Sequence, residues 1–252
     1  QYRVDGAPWQ VDEDDNNANY ELEVFGCGPL VASSFDPDLQ RELGEMVGLQ
    51  AVIVSLPILW GPGLNTHRHP YNGRNGDYYS EDPVLCGVIA MEFSMGALDY
   101  GLIAAPKHFA FNDQETNRNG IAPFMTEQRA REVELRAFQI AVEATKYDEI
   151  EGKDVGMLGL MCSFSKIGAV ECTASRGLMT DILQNEWGFH GYAVTDISDD
   201  FDIYTAVAYA GTTGYDVRAG YTPSGFDRYQ SMADGVTPSP ELYEGDAELL
   251  TS

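Results

Sequence analysis

Short apolar runs alternate with helix-patterned stretches along most of this chain, and that alternation admits few folds. AVIVSLPILW, LIAAP, GMLGLMCSF and YAVTD read as buried-type strands. Between them lie helices with recognisable starts and stops. Asp36 is an N-cap with Pro37 at the first helical position, and LQRELGEMVGLQ continues the helix. Asp82-Pro83 opens a second helix running to about Tyr100, and Thr126 begins a long one through about Lys146. Ser175 starts RGLMTDILQNEW, which Gly188 closes as a C-terminal cap. A short helix is expected near residues 201–210, and a further strand near Thr213 to Val217. This order predicts right-handed β-α-β units around a parallel sheet. The 252 residues match a single (β/α)₈ barrel, for which about 250 is typical. About six β-α units are visible, so the expected architecture is an α/β TIM-type barrel, incomplete or irregular within this chain. Residues 1–35 read as irregular, with an acidic, Asn-rich solvated loop, and residues 219–252 as a loop-rich end.

Polar residues gather just after the expected strand ends: His67, Arg74, Lys107, His108 and Asp196. In a (β/α)₈ barrel that face carries the active site, and an open doubly wound sheet binds ligands there too. Asp196 ends a strongly apolar strand, where a carboxylate serves as nucleophile, base, metal ligand or simply as the cap of the next helix. Lys107 and His108 are neighbours, so both reach one ligand only where the strand ends and the chain turns. Arg74 lies between glycines in NGRNG, which permits close approach of a ligand; a solvated loop Arg is the alternative. Asp5, in VDG, also suits a turn. No G-x-G-x-x-G follows a first strand and no P-loop occurs, so nucleotide binding lacks its usual signature. His67 and His69 form an H-x-H that keeps a metal-dependent barrel hydrolase as a remote reading.

Charge narrows the partners. Forty acidic against fifteen basic side chains give −25, which disfavours nucleic acid and anionic membrane surfaces. No apolar run approaches the roughly 18 residues of a membrane span. Cys27, Cys86, Cys162 and Cys172 form no C-x-x-C and read mainly as core residues. The chain starts at Gln1 and is expected to be a processed chain or a piece of a longer one, which leaves the compartment open.

Five segments then occur in one order: GPGLNTHRHPYNGRNGDYYSEDP, KHFAFNDQETNR, TEQRAREVELRAFQIAVE, LMTDILQNEWGF and HGYAVTDISDD. Together they closely resemble the barrel domain of glycoside hydrolase family 3, of the β-glucosidase type. The resemblance runs from about Asp5 to about Arg218. It implies a retaining exo-β-glycosidase that releases terminal β-D-glucosyl residues by double displacement and needs no cofactor or metal. Asp196 matches the nucleophile. Lys107, His108, Arg74 and Asp5 match residues that bind the hydroxyls of the first sugar, and Met161 matches a Met that packs near the nucleophile. Charged donors and acceptors of this kind hold sugar hydroxyls well. A retaining enzyme needs two carboxyl groups about 5 to 5.5 Å apart.

Four departures from the family pattern matter. Phe164 stands where a Tyr contacts the nucleophile, which removes a donor. Ile197 replaces the aromatic after the nucleophile, a platform for the next sugar. GRNFE is GRNGD here, with Gly76 and Asp77. FAFNDQE lacks the His that serves as acid/base in the β-hexosaminidase branch. In the β-glucosidase branch the acid/base is a Glu from an α/β-sandwich domain, and no such domain fits in this chain. Glu115, in NDQET, is a weak internal candidate that reads better as a structural hydrogen-bond partner. Glu132, Glu134 and Glu186 are expected on helices, facing solvent. The implied partners are β-linked glucosides or short oligosaccharides and the sandwich domain of the same parent protein. β-Xylosides rival β-glucosides, and a non-catalytic sugar-binding fragment is the alternative reading.

Overall fold

The computed structural model describes residues 25–54, 56–118, 121–144, 157–189, 191–194, 196 and 217–218. Its framework is a run of short parallel strands. β1 (Ile58–Leu59) pairs with β2 (Ile103–Ala104) in parallel register, Ile58 opposite Ile103. Beyond β2 the chain stays beside β3 (Gly159–Met161): Met161 N donates to Pro106 O and Phe109 N to Met161 O, at 2.9 and 2.8 Å. A hairpin of β4 (Lys166–Ile167) and β5 (Val170–Glu171) follows. β6 (Tyr192–Val194) then pairs in parallel with β3, and β7 (Val217–Arg218) with β6. The parallel strands thus stand side by side in chain order, as successive staves of a barrel do.

Helices pack beside these strands. α1 (Gly28–Ala32) is a single turn in the segment expected to be irregular, held by Val31 N bonding Cys27 O. α2 (Pro37–Ile53) begins as expected, with the Asp36 carboxylate accepting from the amides of Asp38 and Leu39. It runs on through Ala51, Val52 and Ile53, residues expected in a strand. Pro57 explains the stop: it has no N–H to offer the Ile53 carbonyl, so the helix cannot propagate further. α3 (Pro83–Asp99) is capped the same way by Asp82 and lies between α2 and the later helices.

The long helix expected from Thr126 is three pieces. α4 (Glu127–Arg129) starts on the Thr126 cap, a π-helical turn follows over Ala130–Glu134, and α5 (Arg136–Glu143) completes it. The helix after Ser175 is π-type over Gly177–Glu186 and ends at Gly188, whose φ of 73° needs a residue without Cβ. The β4–β5 hairpin was not expected; it reverses at Gly168, φ 60°, and Lys166 reaches Glu171 across it at 3.1 Å. The core between sheet and helices centres on Phe109, whose ring meets Phe138 and Trp187 edge-on at 5.2 and 5.9 Å. Cys86, Cys162 and Cys172 are buried as expected, whereas Cys27 is exposed. Among the described residues no helix is long and apolar enough to cross a membrane.

Candidate active site

The strand ends build one constellation. Asp196 follows β6, and His108 follows β2 closely enough for its Nε2 to lie 3.4 Å from Asp196 Oδ2. The Lys107–His108 and Phe109–Ala110 peptides are cis. Lys107 O accepts from Leu64 N at 2.7 Å, so the segment after β1 frames the same place. Asn65 extends that frame: its Oδ1 accepts from His108 N at 2.8 Å and its Nδ2 donates to His108 O at 3.0 Å. The Tyr78 hydroxyl sits 3.1 Å from His108 Nδ1. Asn65, Tyr78 and Asn112 went unread in the sequence. They lie in stretches that look like polar loop, yet each is almost wholly buried. The one available signal was apolar Leu64 and paired tyrosines within a Gly- and Asn-rich segment.

Electrostatics follow from this packing. Burial, then the charges of Lys107, Arg74 and Arg118, hold the His108 imidazole well below its usual range, so it is neutral near pH 7. Its 3.4 Å approach to Asp196 is therefore that of a neutral ring and not an ion pair. Burial and the Arg74 charge also lower Lys107, against the opposing pull of Asp196 and Asp77. Arg74 is not a solvated loop residue. Its guanidinium lies 5.7 Å from the Tyr78 ring centre, and Nε bonds Asp77 Oδ2 at 2.7 Å.

The other expected residues fall around this group or outside it. Met161 is buried at the end of β3, paired in register with Val194, two positions before Asp196. Phe164 is buried with the Arg118 guanidinium 4.5 Å from its ring centre. Asp5 and Ile197 lie outside the described residues. Glu115 accepts from Asn112 Nδ2 at 3.2 Å and pairs with Arg118 at 3.0 Å and Arg74 at 3.5 Å, so both oxygens are engaged. Glu132 is exposed, and Glu186 is half-exposed on Arg131 at 2.6 Å. Glu134 corrects the expectation of solvent exposure: it is 3% exposed, because the π-helical turn carries it inward.

The H-x-H pair is spent on loop packing. His67 Nε2 donates to Tyr78 O at 2.7 Å, and His69 Nδ1 accepts from Tyr71 N at 3.1 Å. Among the described residues no group of three or more His, Cys, Asp or Glu side chains could hold a metal ion.

A family model, the glycosyl hydrolase family 3 N-terminal domain, matches residues 27–220. The chain belongs to glycoside hydrolase family 3. A β-glucosidase of Ruminococcus albus is 34% identical over 89% of this chain and 24% of its own length. β-Glucosidase A of Butyrivibrio fibrisolvens is 35% identical over 69% of this chain and 20% of its own. The structure of β-glucosidase 3B from Thermotoga neapolitana in complex with glucose superposes with a TM-score of 0.73 at 26% identity, covering 94% of this chain and 32% of that one. The chain thus spans about a quarter of the length of the Ruminococcus relative. The expected fold class holds: this is the TIM-type barrel domain of family 3, and the described parallel strands are part of it.

Proposed function

We propose that this chain is the barrel portion of a retaining β-glucosidase and carries its nucleophile, Asp196. The observation that carries the reading is the meeting of His108 Nε2 with Asp196 Oδ2 at 3.4 Å where two parallel strands end. A carboxylate there attacks the anomeric carbon of a bound glucoside, and the bond to the leaving oxygen breaks. A Glu from another part of the parent protein gives that oxygen its proton. The same Glu then takes a proton from water, which attacks the anomeric carbon and frees Asp196. Lys107, His108 and Arg74, with Asp5, bind the sugar hydroxyls. Neutral His108 adds no charge and shares its one N–H between a sugar hydroxyl and Asp196, while cationic Lys107 and Arg74 favour an ionised nucleophile. Met161 packs below the nucleophile. Phe164 offers it no hydroxyl, which slows formation and hydrolysis of the glycosyl-enzyme. Ile197 leaves a weak platform for the second sugar.

Asp196→Ala in the full parent protein tests the reading. Hydrolysis of an aryl β-glucoside is expected to fall about 10⁴-fold or more; undiminished hydrolysis would refute it. Phe164 supports one rival, a sugar-binding module without turnover. Glucose binding by calorimetry, together with no release of an activated aryl leaving group, would favour that rival.

A further inference from the structure

We propose that Tyr78 is a positioning residue: its hydroxyl holds the His108 imidazole as the Nε2–H tautomer, aimed at the Asp196 carboxylate. The proposal rests on the reading of Asp196 as nucleophile and adds a residue that acts on that carboxylate through His108.

A neutral imidazole has one N–H and one lone pair, and its surroundings choose which nitrogen carries the proton. Both His108 nitrogens face protein groups. Nε2 is 3.4 Å from Asp196 Oδ2. Nδ1 is 3.1 Å from the Tyr78 hydroxyl and 3.5 Å from Asn112 Nδ2. An ionised carboxylate only accepts, so the proton belongs on Nε2 and Nδ1 must accept.

Tyr78 can supply that donor because its own oxygen is served by another group. Asn112 Nδ2 donates to the Tyr78 oxygen at 3.1 Å, which leaves the hydroxyl proton for a partner. Two acceptors compete for it, His108 Nδ1 and the Asn112 backbone carbonyl at 3.2 Å. Turned to the carbonyl, the hydroxyl would leave Nδ1 to carry the proton and point the Nε2 lone pair at Asp196. Turned to Nδ1, it gives up the Asn112 carbonyl but gives Nδ1 a donor and leaves Nε2–H facing the carboxylate. The ionised carboxylate therefore selects the second arrangement.

The parts cannot drift. Asn65 clamps the His108 backbone on both its N–H and its carbonyl. Tyr78 is fully buried and lies against Gly63, where an added Cβ would come within 2.6 Å of Tyr78 Cδ1. Burial pushes the phenol far up, so the hydroxyl keeps its proton across the working pH range.

Tyr78→Phe in the full parent protein deletes the hydroxyl and keeps the ring. Losing one neutral hydrogen bond in the relay is expected to lower kcat about fivefold, with KM changed less than about twofold. A hydrogen bond to the charged form lowers a carboxyl pKa, so weakening it moves the acid limb of kcat/KM to higher pH, by roughly half a unit. A purely structural defect would not move that limb. In a His108→Gln background, which has no Nδ1, Tyr78→Phe is expected to add nothing. The relay is overturned if Tyr78→Phe matches the parent in kcat and pH profile, or if the two substitutions act independently. Activity that survives Asp196→Ala would instead overturn the functional reading beneath it.

Discussion

Asp113 is 3% exposed and faces Glu134, also 3% exposed. Two ionised carboxylates do not bond each other, so one of the pair carries a proton. Burial first, then the hydrogen bond and charge of Glu134, push the Asp113 carboxyl up to about 8, against the pull of Arg68 and Arg129. Arg129 instead pairs with Glu134 at 2.9 Å, and Thr66 donates to Glu134 at 3.4 Å. The sign follows from proton counts. Between about pH 4 and pH 8 the folded chain holds a proton at Asp113 that the unfolded chain has released, so stability falls as pH rises through that window. Asp113→Asn keeps a donor to Glu134 and removes the titration. Its melting temperature is expected to exceed the parent's by several degrees at pH 8 and to converge with it toward pH 4. A gain of equal size at both pH values would show that the pair does not share a proton. Neither residue was legible in the sequence as a buried acid. Asp113 sits in a polar run, and Glu134 falls on the solvent side of a helix of regular period. A single π-helical turn shifts that period by one residue, and periodicity cannot register it.

At the scale of elements, α2 and α3 pack through glycines. An added Cβ at Gly44 would collide with the Phe93 carbonyl oxygen, and one at Gly96 with the Arg41 carbonyl oxygen. Both obstacles are backbone, so neither can give way by changing rotamer. Gly48 repeats the contact one turn on, against Ala97 and Tyr100, so the two helices run side by side in the same direction. Gly44→Val is expected to cost about 2–4 kcal/mol in denaturant melts, from overpacking at a contact with no slack. Gly76→Ala is the control, because nothing lies within 4 Å of its added Cβ; a change within about 0.5 kcal/mol is expected. Equal effects of the two would refute the close-packed interface. The helix starts were legible because capping is local chemistry: Asp36, Asp82 and Thr126 each accept from amides two or three residues ahead. The first strand was misjudged because Val52 and Ile53 suit a strand locally, and helix propagation from Pro37 overrode that preference. The β4–β5 hairpin was hidden by its length, two residues a side, too short for alternation to show.

For the whole molecule, the net charge of −25 and the proposed neutral glycoside predict that stability responds to salt and substrate binding does not. Fifteen cations cannot neutralise forty anions, so the folded chain repels itself at low ionic strength. Added salt shortens the screening length from about 10 Å at 0.1 M to about 3 Å at 1 M and relieves that repulsion. Salt also weakens exposed ion pairs such as Arg41–Asp99 and Arg131–Glu186, but such pairs contribute only about 0–1 kcal/mol each. The repulsion dominates, and the melting temperature is expected to rise by several degrees between about 0.02 M and 0.5 M sodium chloride. The substrate side differs. On the proposed reading an uncharged sugar would be held by hydrogen bonds beside cations that are already committed, Arg74 to Asp77 and Glu115, and Lys107 to the field of Asp196. Long-range steering contributes nothing to a neutral ligand, so KM for an aryl β-glucoside is expected to stay within about twofold over the same range. A KM that climbs steeply with salt would point to an anionic substrate and count against the glucoside reading. A melting temperature that falls would mean that the ion pairs outweigh the excess charge.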